Sequence, residues 1–135
     1  ALDNASRGLV RWVAGNVYVT ANSGSVTRGV NAAASTDTIN VTTGTYTEIV
    51  SLTGTQSLVT ANGTVAIDSL STLAGQSINL GAGSTLSLGA GTLSGGIGGS
   101  GNLAKTGSGT LTINGTNSYS GSVTISGGTL VAGSS

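Results

Sequence analysis

Apolar residues recur at every second position along most of this chain. Ile39 and Val41, Val50 and Leu52, Val65 and Ile67, Ile78 and Leu80, Leu86 and Leu88, Leu111 and Ile113, and Val123 and Ile125 each bracket one residue. A period of two sets one face of an extended segment against a core and the other toward solvent. From Thr36 onward the pattern therefore predicts strands joined by turns at glycine-rich breaks. Ahead of it, Val10–Val13 and Val17–Thr20 read as two strands around Ala14-Gly15-Asn16, either a hairpin or an extra partial coil. Only Ser25–Ser35 has helical spacing. Val26, Val30, Ala33 and Ala34 fall on one face, Ser25 is a capping residue, and Gly29 weakens the helix. A short amphipathic helix just before a strand array predicts a lid on the first coil.

The strand pattern also repeats at longer range. Gly-Thr-Leu occurs at 91–93, 109–111 and 128–130, a period near 19 residues. A constant period filled with strand-like residues marks one unit stacked on copies of itself, a solenoid. Steps of about 19 residues align three inward rows. The first is Ile39, Leu58, Ile78 and Ile97. The second is Tyr46, Val65, Leu86, Leu103 and Val123. The third is Leu52, Leu73, Leu93, Leu111 and Leu130. Three rows per turn predict an all-β fold: a three-faced parallel β-helix of about five coils, stacked roughly 4.8 Å apart. Crossover preference predicts a right-handed coil. The chain divides into a strand segment or arm at 1–24, a capping helix at 25–35 and the β-helix at 36–135.

Composition narrows the function. Charged residues make up 6% of the chain, four basic against four acidic, so there is no basic footprint for nucleic acid. Aromatics are Trp12, Tyr18, Tyr46 and Tyr119 only, which leaves the core to Val, Ile, Leu and Ala. Cys and His are absent, which excludes disulfides, thiol nucleophiles and a His-activated serine. No apolar run is long enough to span a bilayer as a helix. A weakly charged, Cys-free chain rich in Ser, Thr, Asn and Gly suits the bacterial exterior.

The carboxylates are few: Asp3, Asp37, Glu48 and Asp68. Calcium-dependent lyase chemistry needs several of them clustered, and glycoside hydrolysis needs a facing pair. Glu48 and Asp68 lie one coil apart and can stack, but two unrelated surface charges explain them as well. The run Gly95-Gly96-Ile97-Gly98-Gly99-Ser100-Gly101 lacks the Gly-Lys-Ser/Thr ending of a phosphate loop. Lys105 reads as a solvated strand-face residue or one that blunts lateral pairing, with a ligand contact as the alternative. Tyr119 and Trp12 have the chemistry to stack on a sugar, but Tyr119 is expected over a corner and Trp12 as a core plug. Arg7, Arg11 and Arg28 gather near the amino end. No residue is assigned a catalytic, cofactor-binding or metal-ligating role.

Two segments resemble known families. Asp37-Thr-Ile-Asn-Val-Thr-Thr-Gly-Thr-Tyr-Thr-Glu48, after a short Ala-rich helix, resembles the first coil of pectin-lyase-like β-helices. Gly101–Leu130 resembles the autotransporter-associated β-strand repeat of bacterial passenger domains. It carries Leu103-Ala104-Lys105-Thr106-Gly107-Ser108-Gly109-Thr110-Leu111 and Asn117-Ser118-Tyr119-Ser120-Gly121. The resemblance implies an exported, surface-exposed right-handed β-helix. The expected function is a non-catalytic extracellular solenoid: a structural or adhesive surface protein, or a filament subunit joined head to tail. The alternative is a carbohydrate-binding or polysaccharide-degrading β-helix, with cell-surface glycans as partners.

Overall fold

The computed structural model describes residues 9–10, 14–21 and 24–133, with side chains from residue 14 onward. In chain order the elements are β1 (Leu9–Val10), β2 (Asn16–Val19), α1 (Val26–Ala32), β3 (Thr38–Val41), β4 (Gly44–Ser51), β5 (Ser57–Thr60), β6 (Gly63–Thr72), β7 (Ser77–Leu80), β8 (Ser84–Leu93), β9 (Gly96–Gly99), β10 (Asn102–Lys105), β11 (Thr110–Ile113), β12 (Val123–Ile125) and β13 (Thr129–Ala132). They form an all-β parallel solenoid of about 6 turns.

One face is the parallel stack β2-β3-β5-β7-β9. An isolated bridge from Ile97 to Asn117 begins a further rung. The other sheet turns a corner. In β6 the buried positions run Val65, Ile67, then Leu70, Thr72, so the inward parity shifts around Asp68. Strands β4, β6 and β8 pass round this corner, whereas the next rungs divide there into β10 with β11 and β12 with β13. The result is three strand segments per coil, as the three-row pattern predicts.

The coil count differs from the expected five because the solenoid starts earlier. Strand β2 pairs in parallel with β3, Val17 opposite Ile39 and Val19 opposite Val41. Both valines are buried, so this strand is a full rung of the core. It also pairs antiparallel with β1, Leu9 opposite Val19. Of the strand expected at Val10–Val13, residues 11–13 lie outside the described residues, Arg11 and Trp12 among them, as do Asp3 and Arg7.

The first inward row is as expected: Ile39, Leu58, Ile78 and Ile97 stand in register. The second row is offset at its top. Tyr46 stands over Ile67, not Val65, and the column continues through Leu88, Lys105 and Ile125. The third row also differs. Val50, Leu70, Gly91, Leu111 and Leu130 form one column, and Leu93 is stacked on Thr72 and under Ile113. Leu73 is 67% exposed, in the turn before Gln76. The cause is the same in both rows. A two-residue slip preserves alternation, and the corner between segments absorbs up to three residues that a constant step does not see.

Helix α1 is shorter than its apolar pattern. Ser25 caps it, accepting a hydrogen bond from the Arg28 N–H, and Ala33 is already extended. Seven residues do not sustain a helix in water. Val26 and Val30 are buried in the same core as Val19, Ile39 and Tyr46, and this contact holds the helix over the amino-terminal end.

Candidate functional site

The acidic side chains are drawn to the ends of this helix. Glu48 lies at the corner of β4, where the register against β6 shifts. Its carboxylate accepts from the Ser25 hydroxyl at 2.8 Å and from the N–H groups of Val26 and Thr27 at 3.0 Å each. These are helix-end donors with no intrahelical partner. Partial burial pushes the Glu48 pKa up, but the donors from Thr27, Ser25 and Val26 outweigh it, and the net position is below the ordinary glutamate value. Asp68 sits at the same corner one rung on and is exposed. The two carboxylates therefore share a corner, but Glu48 is committed to the helix. Asp37 is buried at the start of β3 and accepts from the Ala34 N–H at 2.9 Å.

The other end of the helix is closed by a residue the sequence reading passed over. The Gln56 amide nitrogen donates to the carbonyls of Val30 at 3.1 Å, Ala34 at 3.2 Å and Ala33 at 3.4 Å. Its amide oxygen accepts from the Thr53 N–H at 3.0 Å. One coil later Gln76 repeats this geometry, accepting from the Leu73 N–H and donating to the Gly54 carbonyl. Both glutamines are buried. The signal was available: each Gln stands two residues before the aligned Leu58 and Ile78.

Lys105 departs from expectation. It is 0% exposed, inside the aliphatic core. Lys105 occupies an inward position because it stands in register with Leu88. Its ammonium is retained there because Nζ donates to three carbonyls, those of Thr106, Gly107 and Gly127. A buried cation without such partners is prohibitively costly. Tyr46 is likewise buried with its hydroxyl donating to the Thr42 carbonyl at 2.9 Å. Burial raises its pKa, as it does that of Tyr119, which packs against the edge of the core.

Two surfaces stand out among the described residues. On the β2-β3-β5-β7-β9 face, Gly96 and Gly98 interrupt the outward side chains. A shallow groove of about 360 Å³ runs there between Ser77 and Asn79 on one side and Thr116 and Ser118 on the other. At the carboxy-terminal end, Val123 and Ile125 are 42% and 55% exposed although their register partners Leu103 and Lys105 are buried. Among the described residues no three His, Cys, Asp or Glu side chains gather where they could hold a metal ion. Nor is any helix among them long and apolar enough to cross a membrane.

A parallel solenoid with largely aliphatic inner rows, whose Glu48 carboxylate caps its own helix, defines the class of protein. Residues 103–132 match the family model of the passenger-associated-transport-repeat, a repeat of autotransporter passengers. The match covers β10 through β13, the rungs that contain Lys105 and the exposed Val123 and Ile125. No curated protein and no solved structure matches the chain.

Proposed function

We propose that this chain is a non-catalytic segment of an extracellular passenger, a rigid spacer or adhesive element at the bacterial cell surface that self-associates end to end. The matched repeat supports the exported location. The observation behind the self-association is the exposed inward face at Val123 and Ile125, which is covered either by a further coil of a longer chain or by a second copy. Native proteins cover or charge such strand edges. The 6% charge content offers little repulsion against a neighbour. Contact between unlike ends is heterologous and propagates as a filament, whereas contact between two carboxy-terminal ends stops at a dimer. Light scattering and negative-stain microscopy separate these. The reading expects assemblies in the parent chain and a monomer after Ile125→Lys with Leu130→Lys. A parent chain that stays monomeric at high concentration would overturn it.

The absence of catalysis is part of the same reading. It rests on the missing His and Cys and on Glu48 being held by the helix. Release of reducing ends or unsaturated products from pectin, alginate or hyaluronan, abolished by Glu48→Gln or Asp68→Asn, would defeat it.

The groove over Gly96 and Gly98 favours a second reading, carbohydrate binding. Its rim is neutral and carries hydroxyl and amide groups. A Cβ at Gly98 would meet nothing closer than the Ser118 hydroxyl at 3.4 Å, so Gly98→Val fills the groove without a backbone clash. Glycan-array binding lost in Gly98→Val supports this second reading, and no binding by the parent chain removes it.

A further inference from the structure

The corner that holds Lys105 is larger than the corner beneath it. Two residues separate Leu88 from Gly91, but five separate their register partners Lys105 and Leu111. The three extra residues open a turn at Thr106-Gly107-Ser108-Gly109, and the carbonyls of Thr106 and Gly107 meet the ammonium there. The third carbonyl belongs to the following coil, at Gly127, 3.3 Å from Nζ. The coil that follows therefore completes the cage.

The alignments of that coil differ in the side chain they set beside this carbonyl. Gly128 has φ +66, and a Cβ built on it would stand 2.7 Å from the Lys105 Nζ and closer still to the Gly109 carbonyl. Gly127 and Gly128 are the only glycines between Ser122 and Ala132. A two-residue slip keeps every inward side chain inward, so hydrophobic burial discriminates poorly against it. The same slip brings Ile125 and Ser126 to the places of Gly127 and Gly128. The Ser126 Cβ then crowds Nζ, the Gly109 carbonyl and the Gly107 carbonyl that Nζ holds in place, and the Ile125 Cβ meets the same Gly107 carbonyl at 2.9 Å.

We propose that Lys105 is a register key: a buried cation that admits the next coil in the alignment that sets Gly127 and Gly128 against it, and rejects the two-residue slips. Until that coil docks, Lys105 lies at the exposed edge of the growing stack. An inward-pointing charge at an edge opposes pairing with the wrong strand. Buried polar groups fix register in this way in coiled coils. The key is independent of what the assembled solenoid binds.

The absence of native cysteine allows a direct test by disulfide trapping. Thr112 and Val131 stand in register on adjacent rungs of β11 and β13, and Thr129 is two residues away on the same side. Neighbouring rungs about 4.8 Å apart suit a disulfide. With Lys105 in place, oxidation should link Thr112→Cys to Val131→Cys and leave Thr112→Cys with Thr129→Cys open. With Lys105→Met both pairs should cross-link, the slipped pair rising at least several-fold. If Lys105→Met does not fold, Lys105→Leu, which places in this column the side chain already present at Leu88, carries the same comparison. The proposal is overturned if the folded variant cross-links only the native pair. It is equally overturned if both variants lose their strand structure, because Lys105 is then required for folding itself and not for the choice of register.

Discussion

The Ser25 hydroxyl donates to the Glu48 carboxylate at 2.8 Å, joining the cap of the only described helix to the corner of the first full coil. The same carboxylate takes the N–H groups of Val26 and Thr27. With Gln56 on the carbonyls of Val30, Ala33 and Ala34, both helix ends are held by side chains from the strands it covers.

Acid should loosen the lid before it affects the coils. The folded-state pKa of Glu48 lies below its ordinary value of 4.5. A depressed carboxylate contributes stability that is complete above the unfolded-state value and is lost as pH falls through the folded one. The protection of the Val26–Ala32 amides, measured against their intrinsic exchange rates, should therefore start to fall only once pH drops below 4.5, while the Leu58 and Ile78 strands stay protected. Glu48→Gln should show fast helix exchange already at pH 7. Equal pH dependence in parent and variant would assign the effect to another group.

Removing Gln56 should open the other end of the helix. Gln56→Ala leaves the buried Val30 carbonyl and its neighbours without their donor, at a cost of about 1–3 kcal/mol. Thermal melting should detect the loss, and exchange should localise it to Ala32–Ala34. Thr55→Ala, one position away and exposed, serves as the comparison and should move the midpoint far less.

Leu111 and Leu73 make a paired test of the column assignments. Leu111 is fully buried between Gly91 and Leu130, so Leu111→Ala should cost about 2–5 kcal/mol. Leu111→Asp should abolish folding. Leu73→Ser should stay within about 0.5 kcal/mol, as exposed substitutions do. Similar losses for Leu111→Ala and Leu73→Ser in chemical denaturation would mean that the third column runs through Leu73 after all.

The leucines also mark where sequence reading stops. The period of two revealed β3, β4, β6, β7, β8, β11 and β12, because burial of one face imposes it directly, while β5, β9, β10 and β13 showed only through the longer step. The first column was legible from Ile39 to Ile97 because its rungs repeat every 19 or 20 residues, but not at Val17, which precedes Ile39 by 22. The other columns cross a corner whose length changes from coil to coil, and alternation carries no memory across such a turn. Ser25 was legible as a cap because helix-end chemistry is local. Its partner Glu48 was not, since that contact joins residues 23 apart. Lys105 was misread for a related reason. Charge alone argues for exposure, and only the carbonyls of an enlarged corner and of the next coil reverse that argument.

The two ends of the stack are unequal, and this bears on how the chain carries a load. Helix α1 covers the amino-terminal end of the described stack, and among the described residues β12 and β13 have neighbours on one side only. Tension applied at the carboxy-terminal side of these coils meets β12 and β13 before the coils beneath the helix. A coil of about 20 residues adds roughly 5 Å to the stack but pays out roughly 65 Å when drawn straight. Under tension the solenoid is therefore a reel, which yields slack one turn at a time and keeps the turns beneath the helix wound.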